Sequence, residues 1–184
     1  MTGTPQTADR IEVLISAEEI AGRISQLADE IVASKPADLL VVPILIGGFV
    51  FAADLIRALH AAGLNPEIDV LMLSSYRGGK RSSGRIQVLR DVEAGLADRN
   101  VLLVDDILDS GRTLAYAKAL MESRRARSVA SCVLLDKPVT RAAAVDPDFT
   151  GFSCPNTFVV GYGMDLDNRY RELPFIGRIM QDSD

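Results

Sequence analysis

Histidine, cysteine and tryptophan are scarce: one, two and none among 184 residues. The lone imidazole, His60, lies in a helical pattern away from any serine or cysteine elbow. Histidine-based triads and His-rich zinc sites therefore have no raw material. Cys132 and Cys154 form no CxxC pair, and Cys132 sits in an apolar run, so its reading is a reduced buried thiol rather than a disulfide or metal ligand. No apolar run approaches the ~18 residues that a membrane span needs. The polar start, Thr2-Gly3-Thr4-Pro5-Gln6-Thr7, lacks the basic-then-apolar order of a secretory signal. A cytoplasmic protein with no membrane partner, frayed over residues 1–9, is the expectation. Excess positive charge is missing too: 20 Lys and Arg stand against 25 Asp and Glu, a net charge of −5, which disfavours a nucleic-acid partner bound through its phosphates. Chemistry is left to carboxylates, Lys, Arg, backbone amides and a borrowed metal.

What is present is apolar material: 48% of the residues are hydrophobic, enough for one sizeable core. Without repeats or a Pro/Gly/Ser tract long enough to be a linker, residues 1–184 read as one domain. Strand and helix patterns alternate along it. Residues 11–15 read as a strand. Ser16 and Glu19 have the form of a capping box, and Ile20, Ile24, Leu27 and Ile31 then recur on one helical face that stops before Pro36. Residues 39–45 form a continuous apolar run, as expected of a strand covered on both faces, followed by Gly47-Gly48 and a helix to about Ala62. Residues 68–73 read as the next strand, 76–84 as a polar loop and 86–89 as an extended segment. A buried strand over 100–104 then opens through a loop, 105–113, into a helix over 114–123, and a strand over 128–135 follows. This alternation predicts an α/β fold with a mainly parallel sheet flanked by helices, which binds ligands beyond the carboxyl ends of its strands.

One such end is Val104-Asp105-Asp106-Ile107-Leu108-Asp109-Ser110-Gly111-Arg112-Thr113. The strand delivers two adjacent carboxylates, and Asp109 to Thr113 offer hydroxyls and unpaired N–H groups at a helix start, where the dipole is positive and Gly permits close approach. That combination holds a terminal phosphate. The same spacing also suits a solvated acidic turn with Asp109 or Ser110 as N-cap.

The segment resembles the signature of the type I phosphoribosyltransferases, whose fold adds to the sheet a small hood built from N- and C-terminal segments. The resemblance implies that Asp105 and Asp106 meet the ribose hydroxyls of phosphoribosyl pyrophosphate (PRPP), with Asp109, Ser110, Gly111, Arg112 and Thr113 around its 5′-phosphate. Asp109 points to the 6-oxopurine branch, where it serves as general base at purine N7. Leu134-Leu135-Asp136-Lys137-Pro138 resembles the segment whose lysine meets purine O6. Phe158-Val159-Val160-Gly161-Tyr162-Gly163-Met164-Asp165 resembles the stretch that stacks on the base and reads its edge, which assigns Phe158, Val159 and Asp165 to the purine. Asn168-Arg169-Tyr170-Arg171 resembles the family's tail, with Arg171 facing pyrophosphate beside Ile46, Gly47, Gly48, Ser75 and Tyr76. The implied reaction moves the 5-phosphoribosyl group to N9 of hypoxanthine or guanine. It needs Mg²⁺, which the resemblance places near Asp105, Asp106 and Asp165. Dimers or tetramers are the family's usual state.

Read alone, several of these residues keep a second meaning. Lys137 also suits a solvated strand cap, Phe158 a core aromatic, Arg171 a surface ion pair and Asp165 a turn cap. One position departs from the pattern: relatives often place Lys or Arg where this chain has Ile46, a position associated with a cis peptide and with backbone contacts to pyrophosphate. The segment after Tyr76 is in turn rich in cations, Arg77, Lys80 and Arg81. If they offset the missing charge, neutralising all three raises the Michaelis constant for PRPP; an unchanged constant sinks that idea. Two rivals remain, a xanthine-preferring enzyme and a non-catalytic regulator that uses PRPP as an effector while binding nucleic acid. Asp109, the net charge of −5 and the expectation that 184 residues hold no extra DNA-binding domain disfavour the regulator.

Overall fold

The computed structural model describes residues 10–75 and 86–180. The expected frayed segment 1–9, the polar loop 76–84 and Tyr76 lie outside the described residues.

The first helix forms as its pattern requires. After strand β1 (Ile11–Ile15), Ser16 caps α1 (Ala17–Ala33), with Ser16 Oγ accepting from Glu19 N while the Glu19 carboxylate accepts from Ser16 N at 2.8 Å. Ile20, Ile24, Leu27 and Ile31 all face inward. Strand β2 (Leu39–Leu45) then enters the core, and α2 (Phe49–Ala61) returns over the same face of the sheet as α1. Strand β6 (Asn100–Leu108), α3 (Arg112–Ser123) and β7 (Ser128–Asp136) repeat the unit, with α3 covering the opposite face. The two-residue side-chain period of buried strands sorts the core into two layers. Val41, Leu102, Val104 and Leu134 pack beneath α1 and α2, whereas Leu40, Val42, Leu103 and Val133 pack with Leu114, Ala117 and Met121 of α3.

With β4 (Leu71–Ser75), β5 (Ile86–Arg90) and β8 (Phe149–Ser153) the sheet order is β5-β4-β2-β6-β7-β8, parallel except for β5, which runs antiparallel to β4. The β2 end, the β6 end and the loops that follow them thus open side by side at the carboxyl edge. The hood is present as well: β1 pairs antiparallel with β9 (Ile176–Ile179), and Val160 bridges to Gly177.

The strands differ from the sequence reading in several places. The strand expected over 68–73 is two strands, β3 (Glu67–Ile68) and β4, both alongside β2. Asp69 interrupts it, because its carboxylate accepts from the backbone N–H of Val70, Glu93 and Ala94 at 2.7, 2.7 and 2.9 Å. The strand expected over 100–104 runs on to Leu108, since pairing with β7 continues through Asp105↔Val133 and Leu108↔Asp136. Asp105 and Asp106 are therefore strand residues, fixed more rigidly than a loop would fix them. Strand β8 (Phe149–Ser153) carries Gly151 and no continuous apolar run, so periodicity gave it no signature.

Burial alone would raise the Asp69 carboxyl, but the N–H groups of Ala94, Val70 and Glu93, with the Arg90 cation, outweigh it and hold the group below the usual carboxylate range. A depressed folded-state value contributes stability that is present above the unfolded-state value and is lost as pH falls through the folded one. Asp69→Ala is therefore expected to cost about 2 kcal/mol near neutrality. In denaturant melts the deficit should shrink once the pH drops well below about 4. A deficit independent of pH would mean that the charge is not what matters.

Candidate active site

Strand β6 carries Asp105 and Asp106 to the carboxyl edge, with opposite faces of the strand presenting them. Asp105 is buried, and its Oδ1 accepts from Asp106 N at 3.1 Å; Asp106 Oδ1 accepts from Ile107 N at 2.9 Å. Burial, and then the neighbouring Asp106 charge, push the Asp105 carboxyl well above the usual range. Burial raises Asp106 as well, against its hydrogen bonds with Asp105 and Ile107 N and, least, the pull of Arg171. Two adjacent carboxylates desolvated in this way accommodate a cation, or the hydroxyls of a polyol, better than they accommodate each other.

Beyond them, α3 begins without a side-chain cap. Its N-cap is Gly111 at φ +77°, and no side-chain oxygen accepts from the helix start. The alternative in which Asp109 or Ser110 caps the helix does not hold. The first N–H groups of α3 instead face a cavity of about 280 Å³ lined by Asp105, Asp106, Asp109, Ser110, Gly111 and Thr113, with Gly47 across from them. Such a helix start suits an anion. Arg112 is exposed and does not line this cavity; only its backbone belongs to the turn.

A second cavity, of about 200 Å³, adjoins the first and shares Asp106, Ile107 and Asp109 with it. Its other walls are Lys137, Phe158, Val159, Met164 and Asp165. Lys137 follows β7, anchored by its N–H to Leu108 O at 3.0 Å. Its Nζ lies 4.0 Å from Asp109 Oδ2; the lysine side chain is 11% exposed and the aspartate 60%. Phe158 is 56% exposed, so the reading of it as a core aromatic does not hold and its ring is free to stack on a flat ligand. The sequence reading brought Lys137, Phe158, Val159 and Asp165 to this cavity but missed Ile107 and Met164. Both are apolar residues beside polar ones, and only the strand register of β6 and the turn at 161–164 bring them to the cavity wall.

The β2–α2 turn lies against the first cavity through Leu45 and Gly47. The Leu45–Ile46 peptide is cis, as the resemblance implied. Ile46 is 52% exposed and brings no charge. Gly47 sits so close to Asp106 that a Cβ there would fall 2.1 Å from Asp106 Oδ2, and Gly47 O in turn would be 2.4 Å from a Cβ on Gly163. Arg171 reaches this junction, donating to Gly163 O and to Asp165 Oδ1, the latter at 2.7 Å. Asp165 also accepts from Asn168 N at 2.8 Å. Arg171 is thus paired inside the site rather than on the surface, and Asp165 is held by it. Among the described residues no three His, Cys, Asp or Glu side chains converge on one point, so Asp105, Asp106 and Asp165 are not gathered into a single ligand set. Cys132 and Cys154 are both free and buried, and no described helix is long and apolar enough to cross a membrane.

The profile of the family "Phosphoribosyl transferase domain" matches residues 12–167. The chain is similar to "Hypoxanthine phosphoribosyltransferase" of Escherichia coli, 39% identical over 92% of this chain and 96% of the relative. It is 42% identical over 90% of its length to "Bifunctional protein TilS/HprT" of Listeria innocua, but spans only 25% of that longer protein. Among solved structures, a hypoxanthine-guanine phosphoribosyltransferase from Bacillus anthracis, with a HEPES molecule in its active site, superposes with a TM-score of 0.86 at 34% identity, covering 94% of this chain and 100% of that one.

Proposed function

The chain belongs to the phosphoribosyl transferase domain family, and we propose that it transfers the 5-phosphoribosyl group of PRPP to N9 of hypoxanthine or guanine, a step of purine salvage. The observation that carries this reading is the pair of adjoining cavities joined at Asp106, Ile107 and Asp109. One offers helix N–H groups to a phosphate. The other offers a cation and an exposed aromatic to a flat base bearing a carbonyl. Relatives named hypoxanthine phosphoribosyltransferase support the substrate class.

In this reading the 5′-phosphate sits on the start of α3, and Asp105 and Asp106 accept from the ribose hydroxyls. The purine lies between Phe158 and Ile107, with Lys137 Nζ donating to O6. N9 attacks C1 of the ribose as the bond from C1 to the pyrophosphate oxygen breaks, and that oxygen leaves with the electron pair. Positive charge builds on the ribose, and electron density leaves the purine through N9 into the new bond, which acidifies N7–H. Asp109 takes the N7 proton, while the carboxylates of Asp105 and Asp106 face the developing positive charge. The products are IMP or GMP and pyrophosphate. The backbone at Ile46, Gly47 and Gly48, with Arg171, flanks the leaving group; Ser75 and Tyr76 are assigned to the same role.

The donor set fits Mg²⁺ shared with the substrate, because Asp105 and Asp106 are hard carboxylates whose charges burial disfavours when no cation neutralises them. Magnesium takes one or two carboxylates and leaves its other positions to water and phosphate oxygens. Bound there, it neutralises pyrophosphate charge. Asp165, held by Arg171, is the weaker candidate. The family resemblance supports a homo-oligomer, the net charge of −5 disfavours a nucleic-acid partner, and a cytoplasmic location is proposed with them.

The deciding experiment offers hypoxanthine, guanine, xanthine and adenine separately with PRPP and magnesium, beside a metal-free control, and follows absorbance. Magnesium-dependent product with hypoxanthine and guanine, and none with adenine, is expected. Faster turnover of xanthine would move the substrate within the 6-oxopurines. No product with any base, in a protein that still binds PRPP, would instead favour the regulator.

A further inference from the structure

Between β7 and β8 the chain makes an excursion over residues 137–148 that touches neither substrate cavity with a side chain beyond Lys137. Its backbone nevertheless leans on the phosphate turn. The N–H groups of Ala142 and Ala143 both donate to Ser110 O, at 2.9 and 3.2 Å. Ala143 O lies 2.7 Å from where a Cβ on Gly111 would be, and Val145 Cγ1 lies 3.0 Å from it. The turn that aims the first N–H groups of α3 is therefore backed by this excursion and not by its own side chains.

One guanidinium closes the excursion. Arg141 Nη2 donates to Asp136 Oδ1 at 2.5 Å, and its Nη1 donates to Val145 O and Asp146 Oδ1, both at 2.6 Å. The Asp146 side chain is 94% exposed, so that pair contributes little. The bonds to Asp136 and Val145 are partly buried and are the ones that fix shape. Asp136 is the last residue of β7, immediately before Lys137, and is paired on both sides: Leu108 of β6 stands opposite it, and Cys154 N donates to its carbonyl at 2.8 Å. Arg141 thus references the backing of the phosphate turn to the same strand end that presents Lys137. Its Nε is buried without a hydrogen-bond partner, a desolvation cost that a neutral residue closing the same loop would avoid.

We infer that Arg141, through its bonds to Asp136 and Val145, is a positioning residue that holds residues 142–145 against Ser110-Gly111 and so keeps the N–H groups at the start of α3 aimed at the 5′-phosphate of the sugar substrate. It touches no substrate itself. The inference rests on the phosphoribosyl-transfer reading above. A phosphate bound alike in the ground and transition states contributes uniform binding, so loosening its seat raises KM for PRPP with kcat little changed.

The test compares Arg141→Gln, Arg141→Lys, Asp136→Asn and the double variant Arg141→Gln/Asp136→Asn in steady-state kinetics, varying PRPP and hypoxanthine in turn, with a thermal melt of each protein. Expected for each of Arg141→Gln and Asp136→Asn is a KM for PRPP raised about tenfold, the equivalent of roughly one hydrogen bond. Their kcat should stay within about twofold of wild type, and KM for hypoxanthine should be nearly unchanged. The double variant should be no worse than the worse single one, because both changes break the same link. Arg141→Lys, which reaches Asp136 but cannot also span to Val145 O, should fall between. Should Arg141→Gln fail to fold, Asp136→Asn carries the comparison, since it keeps the shape of the side chain. An unchanged KM for PRPP overturns the inference. So does a loss in which kcat and both Michaelis constants worsen in step with the melting temperature, the mark of a merely structural residue. Wild-type protein without PRPP-dependent turnover would instead remove the functional reading and the inference with it.

Discussion

Asp109→Asn is expected to lower kcat by about 10²–10⁴-fold, the usual worth of a positioned general base, while the fold and its melting temperature stay close to wild type. The carboxylate is 60% exposed, and among the described residues its ion-pair partner is Lys137 at 4.0 Å. An ion pair so exposed contributes only about 0–1 kcal/mol. Asn keeps the shape and can still turn an oxygen toward N7–H, so binding of hypoxanthine should change little. What it cannot do is take the proton as electron density leaves the imidazole ring of the base. Loss concentrated in kcat, with the Michaelis constants nearly unchanged, would mark an interaction made in the transition state. Turnover within a few fold of wild type would remove Asp109 from the proton transfer and leave Lys137, at O6, as the group that polarises the purine. The measurement is a steady-state assay with hypoxanthine at saturating PRPP and magnesium, beside a thermal melt.

Most of what local patterns encode is legible in the chain itself. The capping box at Ser16 and Glu19, the inward face of α1 and the limits of β2 all follow from side-chain periodicity over short spans. The turn that opens α3 is legible for the same reason: two carboxylates, then a serine, glycine and threonine at a helix start, lie within nine residues. What sequence patterns could not show depends on contacts made at a distance. Asp69 breaks an apolar strand because N–H groups 24 and 25 residues away find its carboxylate. The extension of β6 to Leu108 is decided by its partner β7. Ile107 and Met164 look like ordinary core residues until the fold sets them around one cavity. Arg171 was expected to face pyrophosphate, and its engagement with Asp165 and Gly163 O is a relation between the two sides of a turn that linear spacing does not express.

The β2–α2 turn supplies the other large effect: Gly47→Ala is expected to reduce kcat/KM for PRPP by more than about 100-fold, some 2.7 kcal/mol of lost transition-state stabilisation. The added methyl would lie 2.1 Å from Asp106 Oδ2 and 2.6 Å from its Cγ. Relief requires the carboxylate to leave the bond it accepts from Ile107 N, or the turn to withdraw from the cavity and from Gly163. Either movement displaces groups assigned to the ribose and to pyrophosphate. Overpacking of this kind costs about 1–3 kcal/mol of stability, a fall in melting temperature of roughly 2–12 °C for a chain of this size. Gly22, on the exposed side of α1 with nothing within 4 Å of its would-be Cβ, offers the opposite case. Gly22→Ala should stabilise the protein by about 0.5–1 kcal/mol through helix propensity, leaving activity untouched. The clash and the chemistry separate in the double variant Gly47→Ala/Asp106→Gly, which removes the side chain that the methyl strikes. Its melting temperature should recover toward wild type while its activity does not, because the carboxylate is gone. Recovery of activity together with stability would show that Asp106 is dispensable and that Gly47 is required only for packing.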